Sequence, residues 1–189
     1  DGLHSSKALQ VYDLGAIQLG GLNTSLAVPP LLGVFYAVLG ALVPLADNIF
    51  LDEPSTQRAQ ERARDVRFVA LGFGILVVLT YASAVLYDSG MPFNQISLVL
   101  GLGAIVNWFL LDGTKQGLAL STICAIGAPA AELVLLHFVP LWHYPRGDIL
   151  GGAFVSWVPW CYFFYVPAVQ NLARFLWSFC KADGKQSLQ

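Results

Sequence analysis

Long apolar runs separated by short polar links dominate this chain. Five runs of about 20 residues can be delimited, at 27–46, 68–87, 93–111, 117–139 and 149–169. A helix of about 20 apolar residues, rising 1.5 Å per residue, crosses the roughly 30 Å hydrocarbon core of a bilayer. The links carry the Asp, Gly, Ser and Pro residues that favour turns. The pattern therefore predicts an all-α, polytopic membrane helix bundle with about five transmembrane helices.

The same pattern divides the chain into three parts. Residues 1–26 mix polar and apolar positions and contain no run long enough to span, so we expect a surface segment with one short interfacial helix at most. Residues 27–176 form the predicted transmembrane domain, and residues 177–189 a tail. Since no signal peptide is visible, either the first run directs insertion or a segment upstream is missing.

The distribution of Lys and Arg predicts the orientation, because cytoplasmic loops collect these residues. Eight of the ten fall on one side of a five-span arrangement, namely Arg58, Arg62, Arg64, Arg67, Lys115, Arg174, Lys181 and Lys185. Only Lys7 and Arg146 fall on the other side. This asymmetry predicts a cytoplasmic C-terminus, with residues 1–26 on the lumenal or periplasmic side.

Composition supports a membrane location and removes several functional classes. Hydrophobic residues make up 56% and charged residues only 12% of the chain, too few charges to solvate a globular surface. The net charge of −2 and the absence of a basic block argue against nucleic-acid binding. Cys124, Cys161 and Cys180 follow no disulfide or metal-site spacing, so we expect no metal site.

Signatures of membrane enzymes are absent. An intramembrane aspartyl protease needs Gly-x-Gly-Asp, but Gly101-Leu102-Gly103 continues with Ala104. Neither His-Glu-x-x-His nor Gly-x-Ser-x-Gly occurs. We therefore expect no catalytic residues and a non-enzymatic protein. A small lipid transporter or a lipid-modifying membrane enzyme stays open as the alternative, although the chain has no internal repeat and few intramembrane charges.

The third run carries the most polar residues. Gln95, Leu102 and Val106 share one helical face, which would suit a groove with an amide at one end, unless Gln95 and Trp108 are ordinary interfacial residues. Trp108 and Asp112 share another face. A carboxylate at a helix C-terminus opposes the helix dipole, so Asp112 indicates a partner contact or, alternatively, a simple Asp-Gly exit turn.

Glu132 is the one carboxylate in the middle of a run. His137 follows five residues later, about 140° away around a helix, so the two do not form a metal or acid/base pair by spacing. Burying an unpaired polar group in hydrocarbon is unfavourable by several kcal/mol. We therefore expect Glu132, in its ionised or its protonated form, to make a hydrogen bond to another helix, and His137 to be interfacial.

An ordered set of short motifs resembles the Insig family over about residues 27–176. The set comprises Val28-Pro29-Pro30, Gly33, Gly40, Pro44, Asp47, Glu53-Pro54, Ala82-Ser83-Ala84, Gln95, Ser97-Leu98, Trp108, Asp112, Gly117, Ser156-Trp157, Pro159, Cys161, Phe163-Phe164, Asn171 and Arg174. The resemblance implies a six-helix membrane regulator whose helices surround a lipid pocket. The family's first helix has no counterpart before Asp1.

The resemblance also implies ligands and partners. In animals and fungi such proteins bind oxysterols in the endoplasmic reticulum, retain the sterol sensor Scap and mark HMG-CoA reductase for degradation. Bacterial relatives, in the plasma membrane, bind a diacylglycerol-like lipid and form trimers. The expected ligand is thus a sterol, oxysterol or diacylglycerol-like lipid rather than a cofactor, and the expected assembly is a homo-oligomer, with a trimer favoured.

The resemblance also implies which residues form the site, at the positions that match the family's motifs. Gln95 and Trp108 look like lipid-pocket residues, with Ser97 and Leu102 on the same helix, and Asp112 looks like the aspartate of the Scap contact. The chain departs from the family at three places: Tyr81-Ala82-Ser83-Ala84-Val85 replaces the animal His-Ala-Ser-Ala-Lys, Gly113 replaces an arginine, and Trp160 looks inserted. These departures bear on the protein partners more than on the lipid.

Overall fold

A computed structural model describes residues 2–186 of the protein, and most of these are helical. Its α-helices are α1 (Gly2–Ser6), α2 (Val28–Ile49), α3 (Pro54–Arg62), α4 (Val66–Asp88), α5 (Phe93–Leu111), α6 (Lys115–Phe138) and α7 (Val158–Gln186). Four of them, α2, α4, α5 and α6, are long and apolar enough to cross a membrane. The predicted all-α polytopic bundle is confirmed.

Local signals in the sequence set the helix ends. Asp65 caps α4 by accepting a hydrogen bond from the Arg67 amide at 2.9 Å. Thr114 caps α6 in the same way, with its Oγ1 3.0 Å from the Gly117 amide. The end of α5 is an exit turn in which Gly113 has a φ of +67° and its amide donates to the Trp108 carbonyl.

The fifth span differs from its prediction. The apolar run at 149–169 was expected to be one helix, but α7 begins only at Val158 and continues to Gln186. Residues 149–157 instead form a loop with a short 3₁₀ turn at Leu150–Gly152 and an isolated bridge between Ile149 and Phe154. This loop is apolar because Phe154 and Trp157 are buried. Hydropathy alone cannot distinguish a buried loop from a helix.

The α7 helix is the centre of the bundle. It packs against α2, α3, α4, α5 and α6. Gly72 of α4 allows a close approach, since a side chain there would lie 3.7 Å from the Cα of Ala168. Because its neighbours surround it, α7 carries Gln170, Asn171 and Arg174 in buried positions. This explains why α7 is not among the four strongly apolar helices.

One end of the bundle is covered by small elements. Here α1 packs on α4, β2 (Ala16–Leu19) pairs with β3 (Leu22–Ser25), and β1 (Val11–Tyr12) pairs with β4 (Trp142–His143). We term this the capped end. The opposite end, formed by α3 and the α5–α6 link at 112–114, is the arginine-rich end.

Candidate functional site

A groove lies between α1, α2 and α7 at the capped end. Its walls come from positions spaced three or four residues apart on the two long helices, so each helix presents one continuous face. We term it the aromatic groove; it is lined by His4, Leu9, Gln10, Leu32, Phe35, Tyr36, Tyr144, Val158, Cys161, Tyr162 and Tyr165.

The groove is narrow, with a cavity volume of about 90 Å³. Ligand pockets for drug-sized molecules usually have about 300–1,000 Å³. Aromatic pairs set the width: Phe35 meets Tyr162 edge-on and Tyr36 stacks on Tyr165, both with ring centroids 6.4 Å apart. In this conformation the groove can take one ring or one chain segment of a lipid rather than a whole molecule.

Glu132 lies beside the groove with three hydrogen-bond donors on its carboxylate. Trp142 Nε1 and the Tyr144 hydroxyl lie 2.9 and 2.5 Å from Oε1, and the Tyr162 hydroxyl lies 2.8 Å from Oε2. We term these four residues the Glu132 cluster. The predicted hydrogen bond between Glu132 and another helix is therefore present, with Tyr162 of α7 as the donor. Two of the donors also line the groove.

Two further groups at the capped end have perturbed ionisation. Burial, reinforced by the Glu132 carboxylate, raises the pKa of Tyr144 well above its ordinary value, so its hydroxyl keeps its proton. Burial lowers the pKa of His4 to about 3, so the ring is neutral at physiological pH. Its Nε2 lies 2.7 Å from the Ser83 hydroxyl oxygen.

A second polar cluster holds the arginine-rich end together. Arg174 Nε and Nη2 bind both carboxylate oxygens of Asp47 at 2.8 and 2.9 Å, and Nη1 lies 2.5 Å from Asp112 Oδ1. Gln116 adds a 3.0 Å bond to Asp47, and Thr114 donates through both its amide and its hydroxyl to Asp112 Oδ2. We term these five residues the Arg174 cluster.

The residues expected to bind lipid do not lie in the aromatic groove. Gln95 and Leu102 are on the exposed face of α5, where Leu102 is 62% accessible. Ser97 accepts a 3.0 Å bond from Trp160 of α7, and Trp108 is half-buried, with its Nε1 donating to the Thr114 carbonyl. The role of these four residues in lipid binding stays a prediction, and only Gln95 and Leu102 lie on the outer face of α5.

Asp112 has its partner inside the chain. Its side chain is inaccessible and pairs with Arg174. It also lies at the first residues of α6, where a negative charge favours the helix dipole. The unfavourable placement at the end of α5 is thereby compensated. The predicted Asp-Gly exit turn is present, whereas a contact of Asp112 with a partner protein stays a prediction.

The aromatic groove was missed by the sequence analysis, although a signal existed. Tyr162 and Tyr165, together with Val158 and Cys161, recur at helical spacing on α7. The contribution of α1 and of Tyr144 could not have been found in this way. Within residues 2–186, no group of three or more His, Cys, Asp or Glu residues is placed to hold a metal ion.

These features define a polytopic helical membrane protein with a narrow aromatic groove at one end and a buried ionic cluster at the other. A family model described as insulin-induced protein (INSIG) matches residues 3–163, so the chain belongs to the INSIG family. No curated protein matches the chain. The match spans α1 to the first turns of α7 and therefore includes most of the aromatic groove. The family is one of non-enzymatic membrane regulators, and the chain is a membrane protein of this regulatory type.

Proposed function

We propose that this protein is a lipid-binding regulator that binds a sterol, an oxysterol or a diacylglycerol-like lipid with one ring or one chain segment of the lipid in the aromatic groove. The groove supports this, since it combines aromatic and aliphatic walls with a few polar groups at one place. Each methylene group removed from water contributes roughly 0.8 kcal/mol, and a small number of polar contacts then fixes the headgroup.

The test is equilibrium binding of a radiolabelled oxysterol and of a radiolabelled diacylglycerol to the purified chain in nanodiscs. Leu32→Trp fills the groove and should abolish binding of the true ligand. Leu31→Trp is the matched control, because Leu31 is the neighbouring residue and is 40% exposed on another face of α2. Equal loss in both variants, or no loss in either, would contradict the groove as the site.

The outer face of α5 is the second candidate for the lipid. Gln95 offers an amide on this face that can donate and accept, and Trp108, half-buried on another face of α5, offers a rigid wall. If the lipid docks there, Gln95→Leu should weaken binding about two- to tenfold, the effect of one hydrogen bond. Trp108→Ala should weaken lipid binding by a larger factor, because it removes the packing surface of the indole ring. Unchanged affinity in both, together with loss in Leu32→Trp, would assign the lipid to the groove alone.

A regulator returns its ligand unchanged, whereas the rival lipid-modifying enzyme consumes it. Mass spectrometry of lipid recovered after incubation with the protein distinguishes the two. Recovery of only the starting lipid is expected. A protein-dependent product would establish an enzyme, and lipid accumulation inside sealed vesicles would establish a transporter.

The orientation follows from charge. The arginine-rich end, with three Arg residues between α2 and α4 and Arg67 in the first turn of α4, should face the cytoplasm, and the capped end the lumen or periplasm. In a Cys180→Ser background, an impermeant thiol reagent should reach Ser55→Cys only from the cytoplasmic side and Ser89→Cys only from the other. Labelling of Ser55→Cys from the lumen would reverse the assignment. The membrane is the endoplasmic reticulum in a eukaryote and the plasma membrane in a bacterium.

Partner proteins, a Scap-like sterol sensor or HMG-CoA reductase in a eukaryotic setting, should contact the α5–α6 link at the arginine-rich end. Asp112 is buried, so it should act by holding this link in place. Asp112→Ala should then spare lipid binding and weaken co-purification of a partner. Lys115→Glu, at the exposed first residue of α6 directly after this link, should weaken it as well without disturbing the fold.

Self-association into a homotrimer is expected from the bacterial relatives. The stretch Gly101 to Ala104 is largely used within the chain, since Ala104 is buried and a side chain at Gly101 would lie 3.0 Å from Trp160. The exposed apolar face of α5 is then the surface we expect between copies. Crosslinking in membranes that yields only monomer across a range of protein densities would contradict a trimer.

A further inference from the structure

With Glu132 in its ionised form, the geometry assigns the hydrogen atoms of the Glu132 cluster. A carboxylate accepts through both oxygens, and Trp142 Nε1 can only donate. The Tyr144 and Tyr162 hydroxyls each lie within 2.8 Å of a carboxylate oxygen and donate to it. Each tyrosine hydroxyl has a single proton, so both protons are directed away from the groove and towards Glu132.

With their protons donated to Glu132, these two hydroxyls can only accept a hydrogen bond from a ligand. A hydroxyl has two lone pairs besides its proton, and Tyr144 and Tyr162 both line the aromatic groove. Trp142 holds the carboxylate from the side of the β1–β4 sheet, where its Nε1 lies 2.9 Å from Oε1, and so prevents it from turning away. Glu132 itself is 6% accessible, which makes this arrangement independent of solvent.

His4, which also lines the groove, adds a further hydrogen-bond acceptor. The Ser83 hydroxyl donates to the Thr80 carbonyl at 2.8 Å, so the 2.7 Å contact between His4 Nε2 and Ser83 Oγ uses a proton on the imidazole. Because the ring is neutral, its Nδ1 is then an acceptor. Gln10 is the one amide in the lining and can both donate and accept, so it favours neither kind of ligand.

We propose that Glu132 makes the aromatic groove selective for lipids that carry a free hydroxyl, by orienting the Tyr144 and Tyr162 hydroxyls so that they accept rather than donate. This inference rests on the proposed function, because it requires a lipid in the groove. Glu132 is a positioning residue here: it acts through the two tyrosines and does not touch the lipid. An ester, ketone or methyl ether at the same place brings a second acceptor and leaves the tyrosine lone pairs unpaired.

The test compares two ligands that differ only in the donor. A radiolabelled monohydroxy sterol and its O-methyl ether, and likewise dioctanoylglycerol and its O-methyl ether, are bound at equilibrium to the full chain in nanodiscs. The wild type should prefer the free hydroxyl about two- to tenfold, the value of one neutral hydrogen bond. The preference should fall to about one in Glu132→Gln, whose amide donates and so frees a tyrosine proton for the groove.

Tyr162→Phe is the second variant, since it keeps the ring and Glu132 and removes one oriented hydroxyl; it should also reduce the preference. Tyr165→Phe is the matched control, because Tyr165 lines the same groove and makes none of the hydrogen bonds to Glu132 described for residues 2–186. It should keep the preference at its wild-type value.

The outcomes separate this inference from the proposed function. Binding of neither ligand by the wild type would overturn the proposed function and the selectivity together. Equal binding of alcohol and ether by the wild type would leave lipid binding in place and overturn the selectivity. A wild-type preference that persists in both Glu132→Gln and Tyr162→Phe, or that is lost equally in Tyr165→Phe, would overturn the role of Glu132.

Discussion

The Arg174 cluster and the Glu132 cluster are both buried polar sites in an apolar bundle, but they are built from different chemistry. The first joins two carboxylates to one guanidinium, with side chains 0–3% accessible. The second surrounds one carboxylate with neutral donors from α7 and from the loop after α6. In the Arg174 cluster, ion pairs and hydrogen bonds connect four helical segments rigidly. In the Glu132 cluster, the neutral tyrosine donors keep hydroxyl lone pairs that a ligand can use. The comparison indicates an architectural role at one end and supports the ligand selection proposed for the other.

Removal of the guanidinium should have the largest effect. Arg174→Met leaves Asp47 and Asp112 buried next to each other without a cation, and breaking a buried ion pair in this way typically costs about 3–5 kcal/mol. We expect thermal unfolding of the detergent-solubilised protein at a much lower temperature, or no folded protein. Arg64→Met is the control, because Arg64 is exposed at the same end. Equal stability of the two variants would remove the architectural role of the cluster.

Gly117 offers a way to disturb the same cluster without changing a charge. A Cβ at this position would lie 1.6 Å from Asp112 Oδ2, so Gly117→Ala must displace the carboxylate from Arg174 and Thr114. Overpacking of this kind costs about 1–3 kcal/mol. Gly127→Ala, on the same helix with open space around it, should be neutral or slightly stabilising. The unfolding temperatures of the two variants measure the difference.

Prediction from sequence succeeded where the signal was local. Hydropathy located α2, α4, α5 and α6 to within a few residues, and the Asp-Gly turn after α5 was recognised. It failed for the start of α7, because a buried loop has the same apolar composition as a helix. Arg174 was counted as a charge on a cytoplasmic side, yet its partner Asp47 lies 127 residues away in sequence and no local pattern could connect them.

The two clusters also differ in how many of their hydrogen-bond and ion-pair partners could be predicted from the sequence. Glu132 stood out as a lone carboxylate in an apolar run, which predicted a hydrogen bond to another helix. The identity of its donors could not be derived, since Trp142 and Tyr144 lie in a loop whose path depends on the pairing of β1 with β4. The aromatic face of α7 was visible as a spacing, but the α1 segment that completes the groove is positioned only by tertiary contacts.

Loss of one donor from the Glu132 cluster should be milder than loss of Arg174. Trp142→Phe keeps an aromatic side chain but removes the Nε1 bond and part of the packing volume, and a hydrogen bond to a charged group is worth about 1.5–3 kcal/mol. We expect faster amide exchange at Trp142–His143 and in the following loop, with the helices at the arginine-rich end unchanged. Trp177→Phe, at a 43% accessible position, should change neither. A uniform loss of protection throughout the bundle would mean that the two ends are not separable.

The smallest effect concerns α1, which closes the groove at the capped end. Because burial lowers the pKa of His4 from 6.5 to about 3, a released α1 binds a proton that the packed one does not. The free energy that holds α1 in place is therefore fully present above about pH 7 and falls as the pH drops towards 3, by less than about 1 kcal/mol at pH 6. Next to α1, Lys7 and Asp88 form an exposed pair, which does not reverse this sign. Amide exchange of residues 2–10, corrected for the intrinsic rate, should accelerate between pH 7.5 and 5 in the wild type. It should not do so in His4→Gln, whereas His143→Gln, which alters an exposed imidazole paired with Asp13 at the same end, should behave as the wild type. An acceleration of equal size in His4→Gln would mean that α1 is held by contacts other than this buried neutral ring.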